Sequence, residues 1–467
     1  MGWPRILALA ALAGLELVSA AAPAQAGAGA PMTIRGPHVS GGVQVAAGLA
    51  PSASTTAVSC STPGTGGNYK LNCHGHGFPV NEVSAAASPS GGYYVAGAND
   101  YNSYNGEGQA GFYASRDGKT WYDAGPVDIF PHALLNAFSD PGLAVDATNV
   151  VYYSGVLFNP TNCNFGGLQL MRRDPVSGAW SSWQIAANTS GQFQDKPSLA
   201  MVGGYVLVSW TQFASCSGSG VPSPIKIAAL KPGAASTAPV AILSVPGSTY
   251  SQGSAMAGSG GDLWVTWEEF ASAAATNGAI MLAHWTQRSG WGAPVKISPP
   301  GFTDLPPALP GFRFRTNSFP EITFVPGVGP VVAWSSFDTG IGRVYLWSGA
   351  TGVHLLSDSG GDQFFPSLAL NSPAPGSASG IFVSYGQTDR TALTYDQYLA
   401  STTGVGVTVS KVSSAPSHPN GDAFFQGRFI GDYGALISSG GSPHPFWTDI
   451  RGPDPILGYE MDAFTDF

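Results

Sequence analysis

The sequence predicts an all-β fold: a β-propeller of seven four-stranded blades, with a six-bladed ring as the alternative count. Three observations predict it. One strand–turn–strand unit recurs seven times. Glycine is abundant at 63 residues and aromatics reach 11%, while charged residues are only 10%, against about 25% in ordinary soluble chains. No amphipathic helical period of useful length interrupts the strands.

The chain opens on a segment outside the fold. Arg5 supplies a positive start, Ile6 to Ala20 is mostly apolar, and Ala24-Gln25-Ala26 has the form of a cleavage site. Residues 1–26 therefore read as a secretory signal peptide, and the mature chain as exported. No later stretch approaches the length of apolar sequence that a membrane span needs. Residues 27–79 read as a leader that partly closes the ring, and 80–467 as the propeller.

The seven units begin EVSAAASPSGGYYVAGANDY at Glu82, DPGLAVDATNVVYYSGVLF at Asp140, KPSLAMVGGYVLVSWTQF at Lys196 and GSAMAGSGGDLWVTWEEF at Gly253. They continue PEITFVPGVGPVVAWSSFD at Pro320, PSLALNSPAPGSASGIFVSYGQTD at Pro366 and GDYGALISSGGSPHPFWTDI at Gly431. Each pairs an apolar run with a Val-, Tyr- and Trp-rich run across a Gly/Pro/Asn/Ser turn, which is a hairpin. Further strands follow most of them, such as GFYASRDGKTW from Gly111 and AIMLAHW from Ala279. The unit starts fall roughly 46 to 67 residues apart, a propeller-blade period and too short for sandwich domains of about 100 residues. The last unit is short, so the leader is expected to lend the seventh blade its outer strand. The candidate pieces are VQVAAG from Val43 and TTAVSC from Thr55. Trp210, Trp264, Trp267, Trp334 and Trp447 fall in or near second strands. Packing between blades is the favoured use for them, and stacking on sugar rings the alternative.

Four cysteines in an exported chain imply disulfides. Cys60–Cys73 and Cys163–Cys216 are the favoured pairs. The second pairing follows because both cysteines come after second strands of consecutive units. A zinc site at Cys73-His74-Gly75-His76 is the weaker reading. The formal net charge of −9 offers no basic stripe to nucleic acid. A monomer is expected.

The stretch Ser115-Arg116-Asp117-Gly118-Lys119-Thr120-Trp121 resembles an Asp-box, the turn motif of bacterial sialidases and the wider sialidase-like (BNR-repeat) propeller superfamily. Arg173-Asp174-Pro175-Val176-Ser177-Gly178-Ala179-Trp180 resembles a degenerate copy. AGANDY near Ala96, SDPGLAVDA, DKPSLAM and FIGDYGAL extend the resemblance over most of residues 80–467. It implies the propeller fold, a structural role for the Asp-Gly turn, and extracellular carbohydrate or glycoprotein as partner. The early F/Y-R-x-P motif of the sialidases is absent, and Arg35 is the only arginine between residue 27 and Arg116.

Residues just before a blade's first strand and just after its second share one face. That rule gathers Asp140, Asp195, Asp362 and Asp432 with Asp100, Glu268, Glu269, Asp338, Asp389, Arg390, Asp449 and Arg451. Three uses compete: carboxylates capping turns, Ca²⁺ ligation as the one cofactor to consider, and catalysis. Glycoside hydrolysis needs two carboxylates, or in sialidases a Tyr nucleophile, and arginines bind a substrate carboxylate bidentately. The catalytic candidates are Glu269, Tyr433, Asp432, Arg390 and Arg451, with Tyr395, Arg313, Arg315, Arg343 and Arg428 behind them. The expected function is a propeller acting on or binding extracellular glycans. As an enzyme it would be a glycoside hydrolase in preference to a polysaccharide lyase; the alternative is a non-catalytic binding protein.

Overall fold

The computed structural model describes residues 60–62, 67–73, 79–101, 110–127, 137–158, 166–186, 191–215, 222–231, 242–358, 360–371, 380–403, 406–454 and 458–467. They form a seven-bladed propeller of antiparallel blades. Helix is nearly absent among them; a 3-10 turn lies at Pro419–Gly421. No helix among the described residues is long and apolar enough to cross a membrane.

In the first six blades the first four strands run from the axis outward in chain order. The inner strands are Val80–Ala87, Ala137–Val145, Phe193–Val202, Ser251–Ser259, Glu321–Val325, Gln363–Asn371 and Ala435–Ser439. Each packs on the next, and the last packs on the first, so the ring closes. The faces between blades form the core. Trp210, Trp267 and Trp334 are fully buried there and Trp447 is almost so. Trp264 is stacked between His284, 4.3 Å away, and Phe324 of the next blade, 4.9 Å away. These rings are packing elements, as expected for aromatics that bury large areas.

The seventh blade has three strands from the C-terminal end: Ala435–Ser439, Ser442–Asp449 and Asp462–Thr465. Its fourth comes from the other end of the chain. Tyr69–Lys70 pairs antiparallel with Phe464 and Thr465. This corrects the choice of leader segment. The stretch from Val43 lies outside the described residues. The stretch from Thr55 ends at Cys60, and Cys60–Thr62 instead pairs with Trp121–Asp123 as a fifth strand on the first blade. Side chains set the choice: Asn68 Nδ2 donates to Val412 O at 2.9 Å, and its Oδ1 accepts Ser414 N at 2.6 Å. Lys70 pairs with Asp462 at 2.7 Å, and Asn72 donates to the same carboxylate at 2.8 Å. Cys73 is disulfide-bonded, which leaves no thiolate for zinc. Cys163, Cys216, His74 and His76 lie outside the described residues.

The repeat has a structural phase. The inner strands of the first four blades and the sixth each carry a register shift. Glu82, Asp140, Lys196, Gly253 and Phe365 sit at those bulges with φ of 57°, 58°, 45°, 62° and 50°; Gly431, at the head of the seventh blade, has φ 95°. Glycine adopts this left-handed conformation freely. At Glu82, Asp140 and Lys196 a side chain is kept despite a local cost of about 1–2 kcal/mol.

Candidate functional site

The side chains at those strained positions converge on the propeller axis. Glu82 of the first blade hydrogen-bonds Asp140 of the second, and both are fully buried. Asn99 joins them: its Nδ2 donates to Glu82 Oε2, and its Oδ1 accepts the Asp140 amide at 2.9 Å. From the other side Arg315, on the segment leading into the fifth blade, meets Asp432 at the head of the seventh. Nε donates to Oδ1 at 3.0 Å and Nη2 to Oδ2. Asn317 Nδ2 caps the Asp432 carbonyl at 3.2 Å. Lys196 of the third blade crosses the axis. Its amide reaches Asp140 Oδ2 at 3.4 Å, and its ammonium lies 3.9 Å from Glu321 of the fifth blade. The same ammonium lies over the rings of Phe319, at 5.2 Å, and Tyr433, at 4.9 Å. Five of the seven blades thus meet in one polar cluster.

Its electrostatics are uneven. Burial, then the Asp140 and Asp432 charges, hold the Glu82 carboxyl well above the usual carboxylate range, with Arg315 partly opposing them. Glu82 thus stands among other carboxyl groups, of which Asp140 hydrogen-bonds it and Asp432 is ion-paired with Arg315. Burial and the Glu82, Asp140 and Asp432 charges push the Tyr433 phenol well up. A phenol raised in this way is a poor oxygen nucleophile. Tyr395 is buried outside this cluster. Burial pushes it upward and its hydroxyl donates to Thr448 O at 2.6 Å.

A second carboxyl pair stands between the fourth and fifth blades. Glu268 is buried and accepts from Gln252 Nε2. Burial, then the neighbouring Asp304, raises its carboxyl well above the ordinary value. Asp304 itself accepts Gly278 N at 2.9 Å.

The other sequence candidates separate from these groups, and each for a stated reason. Glu269 accepts Thr249 N and Tyr250 N at 2.9 Å, Ser251 Oγ, and Trp267 Nε1 at 2.7 Å. Asp449 does the same in the seventh blade, accepting Trp447 Nε1 at 2.7 Å and Ser417 Oγ at 2.5 Å. Acids after the second strand thus anchor that strand's tryptophan. Glu269 is three blades from Tyr433 and does not support it, contrary to expectation. Arg390 grips Asp362 bidentately at 2.8 and 2.6 Å, and Arg451 binds Asp449, Asn68 and Ser414. Neither guanidinium joins the axial cluster, so among the described residues Arg315 alone represents the arginines there. Asp389 caps its own turn through Thr391 N and Ala392 N, and Asp338 accepts the Tyr345 hydroxyl at 3.0 Å. Asp100 accepts the Tyr113 hydroxyl at 3.1 Å, and Asp195 is buried in the third inner strand. Among the described residues no three His, Cys, Asp or Glu side chains are placed to hold a metal.

Sequence reasoning missed Glu82, Lys196, Asn99 and Asp304 as site residues. The signal for the first two was present: they open their repeat units, at the position that Asp140 occupies in the second.

The turn from Ser115 to Trp121 closes the outer hairpin of the first blade. Asp117 Oδ1 accepts Lys119 N at 2.8 Å and Thr120 N at 2.7 Å, and Gly118 has φ 74°. Trp121 is buried and its indole donates to Gly118 O at 2.7 Å. Asp174 repeats the arrangement in the second blade, accepting Val176 N at 3.0 Å and Ser177 N at 2.8 Å.

No protein-family model and no curated protein matches the sequence. Solved structures resemble it distantly. An α-L-arabinanase of Penicillium chrysogenum complexed with arabinobiose matches 77% of this chain and 99% of its own, at 12% identity and TM-score 0.46. A GH93 α-L-arabinofuranosidase of Fusarium graminearum matches 68% of this chain and 92% of its own, at 9% identity and TM-score 0.45. A sialidase of Trypanosoma rangeli in complex with sialic acid matches 70% of this chain and 54% of its own, at 8% identity and TM-score 0.42. Likenesses this distant leave the propeller to be established by the chain's own strand pairing and ring closure, as above.

Proposed function

We propose that this chain is an exported propeller that acts on extracellular glycans, with its axial cluster as the site of glycosidic-bond hydrolysis. The observation that carries the reading is Glu82. A carboxyl raised by burial and by two neighbouring carboxylates holds its proton more tightly than an ordinary acid, and it stands near the carboxylate of Asp432, which is ion-paired with Arg315. A buried carboxyl raised in this way is the kind of group that serves as a catalytic acid. In this reading Glu82 delivers the proton that the leaving glycosidic oxygen needs. Asp432 is the carboxylate that meets positive charge developing at the sugar carbon. Tyr433 serves as a ring platform and not as the nucleophile. The Asp-box resemblance at Ser115–Trp121 and the signal-peptide form of residues 1–26 support the extracellular glycan setting, and the position of Cys73 supports it further. Its amide bonds Asp123 Oδ2 at 2.9 Å, and Cys60 is the residue registered opposite Asp123, so Cys60–Cys73 is the pairing we assign.

The test is a glycan array followed by a reducing-sugar release assay on every glycan that binds, with wild type and Glu82→Gln. Release by wild type and loss of release by Glu82→Gln, with binding kept, supports hydrolysis. Binding without release by either protein supports the second reading, a glycan-binding propeller. That reading is favoured by one observation: Glu82 and Asp140 have no exposed surface, which suits a structural tie across the axis.

A further inference from the structure

The opposite face of the ring carries a separate cleft of about 450 Å³ between the first and second blades, a volume within the usual range of small-ligand sites. Its walls are the turns at the far ends of the strands: Tyr93 from the inner hairpin of the first blade, Arg116 and Tyr122 from its outer hairpin, and Asn149 and Arg173 from the second blade. Antiparallel geometry puts all of these at the end of the blades away from Glu82 and Asp432.

The arginines set this cleft apart. Arg315, Arg343, Arg390 and Arg451 are each ion-paired within the fold, and Arg172 lies 3.9 Å from Asp174. Arg116 and Arg173 are held differently. The Arg116 guanidinium lies over the Tyr93 ring at 4.6 Å, and the Arg173 guanidinium over the Phe112 ring at 5.4 Å. A ring beneath a guanidinium fixes its plane and leaves its edge donors pointing outward. The nearby carboxylate of Asp117 is engaged by its own turn, through Lys119 N and Thr120 N. A glycine at 178 makes room for Arg173, since a Cβ there would lie 3.0 Å from Nη2.

Two other features suit a polyhydroxylated ligand. Tyr122 is 52% exposed, an unusual cost for a large ring on a strand. Asn149 Oδ1 is a buried acceptor without a hydrogen-bond partner among the described residues. Two guanidinium forks bind a planar anion bidentately, an exposed phenol stacks on a sugar face, and an unpaired acceptor takes a hydroxyl. We propose that this cleft is a second carbohydrate site, which binds an acidic saccharide by pairing Arg116 and Arg173 with a sugar carboxylate. It does not depend on the reading of the axial cluster.

Trigalacturonate titrated calorimetrically into the full mature chain tests it, with neutral galactotriose, a sulfated disaccharide and a tetraglutamate peptide as comparisons. Trigalacturonate should bind saturably and galactotriose should not. Arg116→Ala and Arg173→Ala should each weaken binding about tenfold or more, the scale of one lost charge-assisted contact. Tyr122→Ala should weaken it with no change in thermal midpoint. Raising NaCl from about 50 to about 500 mM should weaken it further. No saturable binding, or unchanged affinity in the Arg116→Ala/Arg173→Ala double variant, would overturn the proposal. Equal binding of tetraglutamate would reduce the cleft to a general anion patch, and preference for the sulfated sugar would defeat the carboxylate assignment.

Discussion

Arg315 holds Asp432 through Nε and Nη2 across 117 residues of chain, and both side chains are buried. Removing one partner of a buried pair leaves an uncompensated charge, at about 3–5 kcal/mol. Arg315→Ala should therefore lower the unfolding free energy read from urea denaturation by that amount, and the Arg315→Ala/Asp432→Asn double variant should recover part of it. Equal midpoints for wild type and Arg315→Ala would mean that the pair is solvated in solution.

Glu82 predicts a pH dependence. Its carboxyl is raised in the folded chain, so the folded state holds a proton that the unfolded state releases near pH 4.5. Stability from this group is present below that value and is lost as pH rises toward the raised folded value. Glu268 has the same sign. Glu82→Gln keeps an acceptor for Asn99 and loses the titration. Relative to wild type, its urea midpoint should rise as the pH increases above about 5 and level off once the folded carboxyl ionises; a pH-independent difference would contradict the shifted carboxyl.

Gly118 and Gly92 both have positive φ, at 74° and 67°. A Cβ at Gly92 meets nothing within 4 Å, whereas one at Gly118 would run into the ring of Phe467. Phe467 is itself stacked on His444 at 3.7 Å. Gly92→Ala should cost about 1–2 kcal/mol from backbone strain alone. Gly118→Ala should cost about 1–3 kcal/mol more from overpacking. Deleting Phe467 should bring the two costs together, as read from denaturation midpoints.

Asn68 fastens the leader to the ring. Its Oδ1 also accepts Arg451 Nη1 at 3.0 Å, besides Ser414 N. Asn68→Ala leaves Ser414 N and Val412 O without these partners and removes one of the contacts of Arg451, at a combined cost of about 2–4 kcal/mol. Hydrogen exchange should speed up in Asp462–Thr465, the strand beside it, before the other blades. Uniform exchange across all blades would show that Tyr69–Lys70 is not what closes the seventh.

Much of this architecture is readable locally. Glu82, Asp140, Lys196, Gly253 and Gly431 begin the repeat units and also occupy the left-handed positions at the heads of their blades, so the repeat phase reports a backbone event. Asp117 and Gly118 announce their turn because an Asx cap and a positive φ are properties of adjacent residues. Glu269 misled because a charged residue after a strand looks the same whether it faces a ligand or anchors Trp267. The closing strand was misplaced because Tyr69–Lys70 is two residues long, too short to show any period.

The sequence alone determined seven hairpin units and their turns, since spacings of a few residues decide them. The tertiary structure decided which charges meet. Glu82, Asp140, Lys196, Arg315 and Asp432 stand on five different segments, each harmless in its own blade. Only ring closure brings them within hydrogen-bond range, away from water, where one neighbour's charge moves another's proton.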